Sequence, residues 1–178
     1  MPEYRIISSR ILFDHPWVQI VVDTLEFQGR LQPYLYLASP VEAVATVGVT
    51  ATGDIILTRQ YRHPLGKVIY DLPAGRLEPG EDALTGARRE FEEETGFYPE
   101  HMEQMGYYNQ FPGTLRAGTN LFFATHLRST HQNLDEGEVL EVVFKPVAEV
   151  LSMILHGEVI DGSLQLGVLL ALQKGFLK

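Results

Sequence analysis

The chain has 178 residues, of which 45% are hydrophobic, with a formal net charge of −9 and no cysteine. That length and composition suit an ordinary globular core, and the missing thiols exclude disulfides, thiolate metal sites and cysteine nucleophiles and fit a reducing compartment. So acidic a chain is a poor binder of nucleic-acid backbones, whose affinity rests on Lys and Arg, so any phosphate it handles is expected to be small and reached through a divalent cation.

From the N-terminus, residues 1–13 carry Glu3, Arg5 and Arg10 between short apolar runs, so no signal peptide is expected. No apolar stretch approaches a membrane span. Val18–Phe27 and Pro33–Ala38 read as strands rich in Val, Ile, Tyr and Leu. Ala43–Thr50 reads as a buried strand, Ala51-Thr52-Gly53-Asp54 as a turn and Ile55–Tyr61 as the hairpin partner. Val68–Leu72 is a further strand that ends at Pro73-Ala74-Gly75. A helix fits Asp82–Thr95, with acidic residues in its first turn and Gly96 where a C-terminal cap belongs. Gly106–Asn109 and Leu121–His126 read as strands around the loop Phe111–Thr119, and Val139–Phe144 as another. Pro146 can open a short helix to Leu155, and Ser163–Leu177 reads as a final apolar helix. The order of elements predicts a mixed α/β sandwich.

At about 100° per residue, Leu84, Ala87 and Phe91 share the face of the central helix that should meet a sheet. Glu90 and Glu94, four apart, lie together with Glu93 beside them. Like charges so spaced destabilise a helix by about 0.2–0.5 kcal/mol per pair, and the run Glu92-Glu93-Glu94 has basic relief only from Arg88 and Arg89. A solvated acidic face is one reading. A hard cation, Mg²⁺ or Mn²⁺, held by the carboxylates is the other. None of the six histidines pairs at a spacing of three or four, so no histidine metal site is signalled. Trp17, Phe27 and Tyr34 offer rings that could stack on a base, although core packing is the expected use of each.

The segment Gly75, Glu81, Arg89-Glu90-Phe91, Glu93-Glu94, Gly96-Phe97 resembles the Nudix box at all nine specified positions over 23 residues. The resemblance implies a Nudix α/β/α sandwich, here residues 41–178, preceded by an N-terminal β extension, residues 1–40. It implies cleavage of a nucleoside diphosphate linked to another moiety, with two or three Mg²⁺ ions, or Mn²⁺, as cofactor. By the family pattern Glu90 and Glu94 are the main metal ligands, assisted by Glu93 and the Ala74 backbone carbonyl. Gly75 lets the backbone come close, and Glu81, Arg89 and Gly96 are structural, Arg89 steadying a glutamate through a bidentate pair. Glu92 is expected to be solvated.

Asp71-Leu72-Pro73-Ala74-Gly75, and Pro112 lying 15 residues beyond Phe97, resemble the ADP-ribose pyrophosphatase and nucleotide-sugar hydrolase branch. That branch usually has an acid soon after Pro-Gly. Here Thr114-Leu115-Arg116-Ala117-Gly118-Thr119 follows, which leaves other nucleotide sugars, such as GDP-mannose, open. Arg59-Gln60-Tyr61-Arg62 resembles the segment whose last arginine reaches the substrate phosphates, so Arg62, with Arg59 near it, is the candidate for that role; a surface arginine at a strand end is the alternative. The branch takes its base from a mobile loop before a late strand. The matching loop is Asn133–Glu138, with Glu136 as the expected base and Glu138 as a further metal ligand. By the same analogy the partners are a small nucleotide substrate and a second copy of the chain, in a homodimer whose N-terminal strands help to build the base pocket. The expected compartment is the cytoplasm. A house-cleaning nucleoside triphosphate pyrophosphohydrolase and a non-catalytic nucleotide-sensing module are the competing readings; sensing modules usually lose box glutamates, and this chain keeps them.

Overall fold

Residues 5–38 form three antiparallel strands, β1 (Arg5–His15), β2 (Val18–Phe27) and β3 (Arg30–Ala38). Gln28 and Gly29 join the last two, both with positive φ, as a tight twisted hairpin turn requires. A two-residue strand, β9 (Leu115–Arg116), adds in parallel to β3, giving the order β1-β2-β3-β9. The sequence hides β1 for a physical reason. Register shifts between Ile6 and Ser8 and between Ile11 and Phe13 break its period of two. Val21 and Asp23 are buried, whereas Ile6, Ile7, Ile11, Leu12, Phe13, Leu31 and Leu35 are exposed. Core packing is not the use of Trp17, which is 67% exposed, or of Tyr34; Phe27 stacks on Tyr4 with ring centroids 4.5 Å apart.

The remaining elements are β4 (Ala43–Val49), β5 (Asp54–Arg62), β6 (Lys67–Asp71), β7 (Ala74–Arg76), α1 (Ala83–Thr95), β8 (Phe97–Asn109), β10 (Gly118–Ser129), β11 (Leu140–Pro146), α2 (Val147–Leu155) and α3 (Gly162–Gln173). Their sheet runs β11-β5-β4-β10-β8, with β6 on β5 and β7 on β4. The predicted hairpin is present but short. β4 pairs with β5 only at Gly48↔Ile56 and Val49↔Ile55, then hands its edge to β7 at Ala43, Val44 and Ala45. On its other side β4 runs parallel to β10 from Ala43↔Thr119 to Gly48↔Ala124.

Alternation along these strands splits the core in two. Val47, Ile55, Leu57, Leu121 and Phe123 pack with Val150, Met153, Leu164 and Val168 of α2 and α3. Val44, Ile56, Phe122 and Ala124 pack with Ala87 and Phe91 of α1. The sheet therefore lies between one helix and two, the α/β/α layering expected. Several details differ from expectation. Leu84 is 37% exposed, so the packed stripe of α1 starts at Ala87. No acid stands in its first turn; Asp82 instead caps it, accepting from the backbone N–H of Leu84 and Thr85 at 3.1 Å each. β8 starts at once after Gly96, not at Gly106. Pro146 ends β11 and holds the N-cap of α2, not its first turn.

This computed structural model describes residues 3–178, and its contacts separate two units, Met1–Glu42 with Asn109–Gly118 and Ala43–Tyr108 with Thr119–Lys178. The loop at Pro112 thus goes with the N-terminal strands. No helix among the described residues is long and apolar enough to cross a membrane. Phe91 is fully buried, and a Cβ at Gly48 would overlap its ring. Phe91→Ala is expected to destabilise by about 3–5 kcal/mol through lost contacts and a cavity, read as a lower denaturant midpoint.

Candidate active site

α1 and β7 bring the carboxylates together. Asp82 fixes where α1 begins, and Gly96, at φ 73°, ends it with its N–H on the Glu92 carbonyl. β7 lies along β4 with Ala74 opposite Ala45, which presents the Ala74 N–H to α1. That N–H donates to Glu94 Oε2 at 2.8 Å. The Glu90 carboxyl group lies against the Gly75 backbone so closely that a Cβ there would overlap it. Gly75 is thus required for space, not for a left-handed backbone, since its φ is not positive.

Arg89 is the hub. Its Nε and Nη2 donate to the two oxygens of Glu81, both at 2.9 Å, and Nη2 also reaches the Arg76 carbonyl at 3.0 Å. Its Nη1 donates to Glu90 Oε1 at 2.9 Å and to Glu93 Oε2 at 3.1 Å. The bidentate pair expected of Arg89 is therefore with Glu81, and the remaining nitrogen orients two glutamates. Glu81 in turn accepts from the Glu78 N–H at 2.9 Å. The hydrogen bonds from Arg89 hold the Glu81 carboxyl below its ordinary range, while Glu81 raises the Arg89 guanidinium further.

Glu94 is only 3% exposed, and burial pushes its carboxyl up to about 9 against the pull of the Ala74 N–H. Burial also raises Glu90, against its bond to Arg89. The negative charge of Glu138 adds a smaller rise at both. This is a set of hard oxygen donors, the chemistry that suits Mg²⁺ or Mn²⁺ once the carboxyls ionise. Among the described residues, no three Asp, Glu or His side chains stand as a ready-made metal cage. The donors fit a divalent cation by type and charge, and holding one requires them to draw closer.

The loop after β10 begins by capping α1. Thr130 N–H donates to the Gly96 carbonyl at 2.7 Å, Gln132 Nε2 to the Glu94 carbonyl at 2.7 Å, and Asn133 N–H to the Glu93 carbonyl at 2.9 Å. These satisfy carbonyls that a helix end otherwise leaves open. The loop then turns at Gly137, φ 87°, with Glu138 N–H on the Asp135 carbonyl. Glu138 is half-buried and Glu136 exposed. No local spacing signals this cap.

Arg62, at the end of β5, donates through Nε to Asp71 Oδ2 at 2.8 Å, and through Nη2 to the same oxygen. Its Nη1 has no acceptor among the described residues, and the side chain is 41% exposed. Asp71 is nearly buried; burial raises its carboxyl although Arg62 opposes the rise. Thr58, directly across the β5–β6 ladder, donates to Asp71 Oδ1 at 3.2 Å. Sequence reasoning assigns Asp71 no task; the hairpin register between β5 and β6 is the available signal. Arg59 pairs instead with Glu141 across the β5–β11 ladder at 2.9 Å, both exposed. Pro112 lies in the N-terminal unit, beside Gly113, whose carbonyl accepts from Tyr34 Oη. Glu92 is half-buried and borders a groove with Arg88 and Arg128, so it is not a freely solvated residue.

Three comparisons bear on this arrangement. The family model described as NUDIX domain matches residues 40–162. A methanol dehydrogenase activator of Bacillus methanolicus is 31% identical over 93% of this chain and 91% of its own length. An ADP-ribose pyrophosphatase of Bacillus subtilis (strain 168) is 30% identical over 89% of this chain and 87% of its own. A crystal structure of an ADP compounds hydrolase superposes with a TM-score of 0.87, at 22% identity, over 98% of this chain and 96% of that one.

Proposed function

This chain belongs to the Nudix hydrolase family, and from that premise we propose that it hydrolyses the pyrophosphate bond of ADP-ribose or a related nucleoside diphosphate sugar, yielding a nucleoside monophosphate and a sugar phosphate. The observation that carries the reading is the Arg89 hub. One guanidinium orients Glu90 and Glu93 beside a buried Glu94, and the Glu90 carboxyl lies where a Cβ at Gly75 would stand. An ADP-ribose pyrophosphatase among the near-full-length relatives supports the substrate class.

In this reading Glu90 and Glu94 would hold the cations, with Glu93, Glu138 and the Ala74 carbonyl completing the set. Mg²⁺ or Mn²⁺ ions, two or three of them, would supply Lewis-acid polarisation there. Arg62, steadied by Asp71 and with Nη1 to spare, binds a diphosphate oxygen. Glu136 accepts the proton of the attacking water when the loop closes; the water oxygen bonds to phosphorus, and the bridging oxygen leaves with the other phosphate. Glu136→Gln is expected to lower turnover by roughly two to four orders of magnitude with metal affinity kept; turnover equal to wild type would remove Glu136 from the role. The exposed Ile and Leu side chains of β1 and β3 support a homodimer, and a monomer at micromolar concentration would overturn that.

The deciding experiment is a panel with Mg²⁺: ADP-ribose, GDP-mannose, ADP-glucose, UDP-glucose, diadenosine polyphosphates and nucleoside triphosphates, with products identified. Cleavage of a diphosphate-linked sugar to two monophosphates is the expected result. Pyrophosphate release from triphosphates alone would favour the house-cleaning reading, and no hydrolysis of any compound would favour a sensing module.

A further inference from the structure

We propose that a second flank of α1 carries a metal-independent binding site for a terminal phosphate group, either of a phosphomonoester or of inorganic phosphate. Thr85, Arg88, Arg89, Glu92 and Glu93 recur at the spacing of one helix face, and they border a groove of about 850 Å³ closed on its other side by residues 128–131 and Tyr98.

The groove holds polar groups with nothing to bind. Arg88 Nε and Thr130 Oγ1 are both buried without a hydrogen-bond partner. Arg128 has its guanidinium 5.2 Å above the Tyr98 ring, and among the described residues neither Arg88 nor Arg128 has an ion-pair partner. Arg5, Arg59, Arg62 and Arg89 do find carboxylates. Two guanidiniums left unpaired on facing elements of a chain with net charge −9 are an arrangement that an anion resolves. Buried polar groups are ordinarily satisfied, so the orphaned donor argues for an absent acceptor.

The chemistry selects phosphate. Guanidinium forks match its oxygens in pairs, and the Thr130 hydroxyl supplies a further donor. Of the two acids at the groove, Glu93 is bound to Arg89 at 3.1 Å, which leaves Glu92 to oppose the two arginines. The ring of Tyr98 orients Arg128 rather than competing with it. The groove touches Arg89 and Glu93 of the reading above, but Arg88, Arg128 and Thr130, which carry the phosphate site, have no part in that reading, so its failure and that of the hydrolase assignment are separable.

The test is calorimetric titration of the full chain in EDTA, which keeps phosphate from being bridged by cations to Glu90 and Glu94. Inorganic phosphate, AMP and ribose 5-phosphate are titrated separately. Saturable binding of one equivalent of inorganic phosphate is expected, weakened about tenfold or more in Arg128→Gln and in Arg88→Gln. Arg128 is exposed, so its variant folds and decides the matter if Arg88→Gln does not. Tighter binding of AMP or ribose 5-phosphate than of inorganic phosphate identifies a phosphomonoester site; equal binding identifies a site for the phosphate group alone. No saturable binding up to about 20 mM, or equal binding by wild type and Arg128→Gln, overturns the proposal.

Discussion

Glu94→Gln is expected to abolish most hydrolysis while making the metal-free protein more heat-stable at pH 8. The two effects come from one cause. Glu94 is 3% exposed, and burial lifts its carboxyl to about 9. A carboxyl raised in the folded state contributes stability that is complete below its unfolded pKa, near 4.5, and is lost as pH rises through about 9. Glutamine keeps the neutral shape and can accept from the Ala74 N–H as Glu94 Oε2 does at 2.8 Å, yet it never has to ionise. In EDTA the melting temperature of the variant should therefore exceed that of wild type at pH 8, and the gap should close towards pH 5. Turnover should fall by roughly two to three orders of magnitude, the loss typical when one preorganised electrostatic partner of a transition state is removed. A variant with unchanged turnover would take Glu94 out of the cation site. A variant less stable than wild type at every pH would show that the carboxylate is stabilising when charged, against the effect of its burial.

Much of this site was legible because local chemistry specified it. Asp82 and Gly96 bound α1 within a residue of expectation, since an N-cap side chain and a left-handed glycine are decided by neighbours in sequence. Spacing alone placed Glu90 beside Glu94. What stayed hidden depends on register or on distant segments. β1 was masked by two bulges that scramble its alternation. The Arg62–Asp71 pair needs the β5–β6 register, in which Thr58 faces Asp71. The return of residues 109–118 to the N-terminal unit and the capping of α1 by residues 130–133 are contacts between segments far apart in the chain. No local period encodes such contacts. The same limit applied to the rings: Trp17 reads as core by composition and is exposed because the strands beside it bury little.

Gly75→Ala separates positioning from folding at this site. The new Cβ would occupy the space of the Glu90 carboxyl group, and the backbone φ at Gly75 is one that alanine adopts freely. The obstruction is the far end of a flexible side chain, so Glu90 can swing aside. Doing so breaks its 2.9 Å bond from Arg89 Nη1 and removes its carboxylate from the Glu94 side of the site. Stability should fall by no more than about 1–3 kcal/mol, the ordinary range for overpacking. Activity should fall far more, by roughly 10²-fold, because a misplacement of about 1 Å suffices for that, and the Mg²⁺ concentration needed for half-maximal rate should rise. Gly86→Ala is the contrasting variant. Its Cβ would meet Leu77 and come within 2.9 Å of Glu81 Oε2, disturbing packing and the anchor of Arg89 together, so stability and activity should drop in step. If Gly75→Ala instead lost stability and activity in step, with an unchanged Mg²⁺ requirement, the glycine would be a packing residue and the close approach of Glu90 to the backbone would carry no functional meaning.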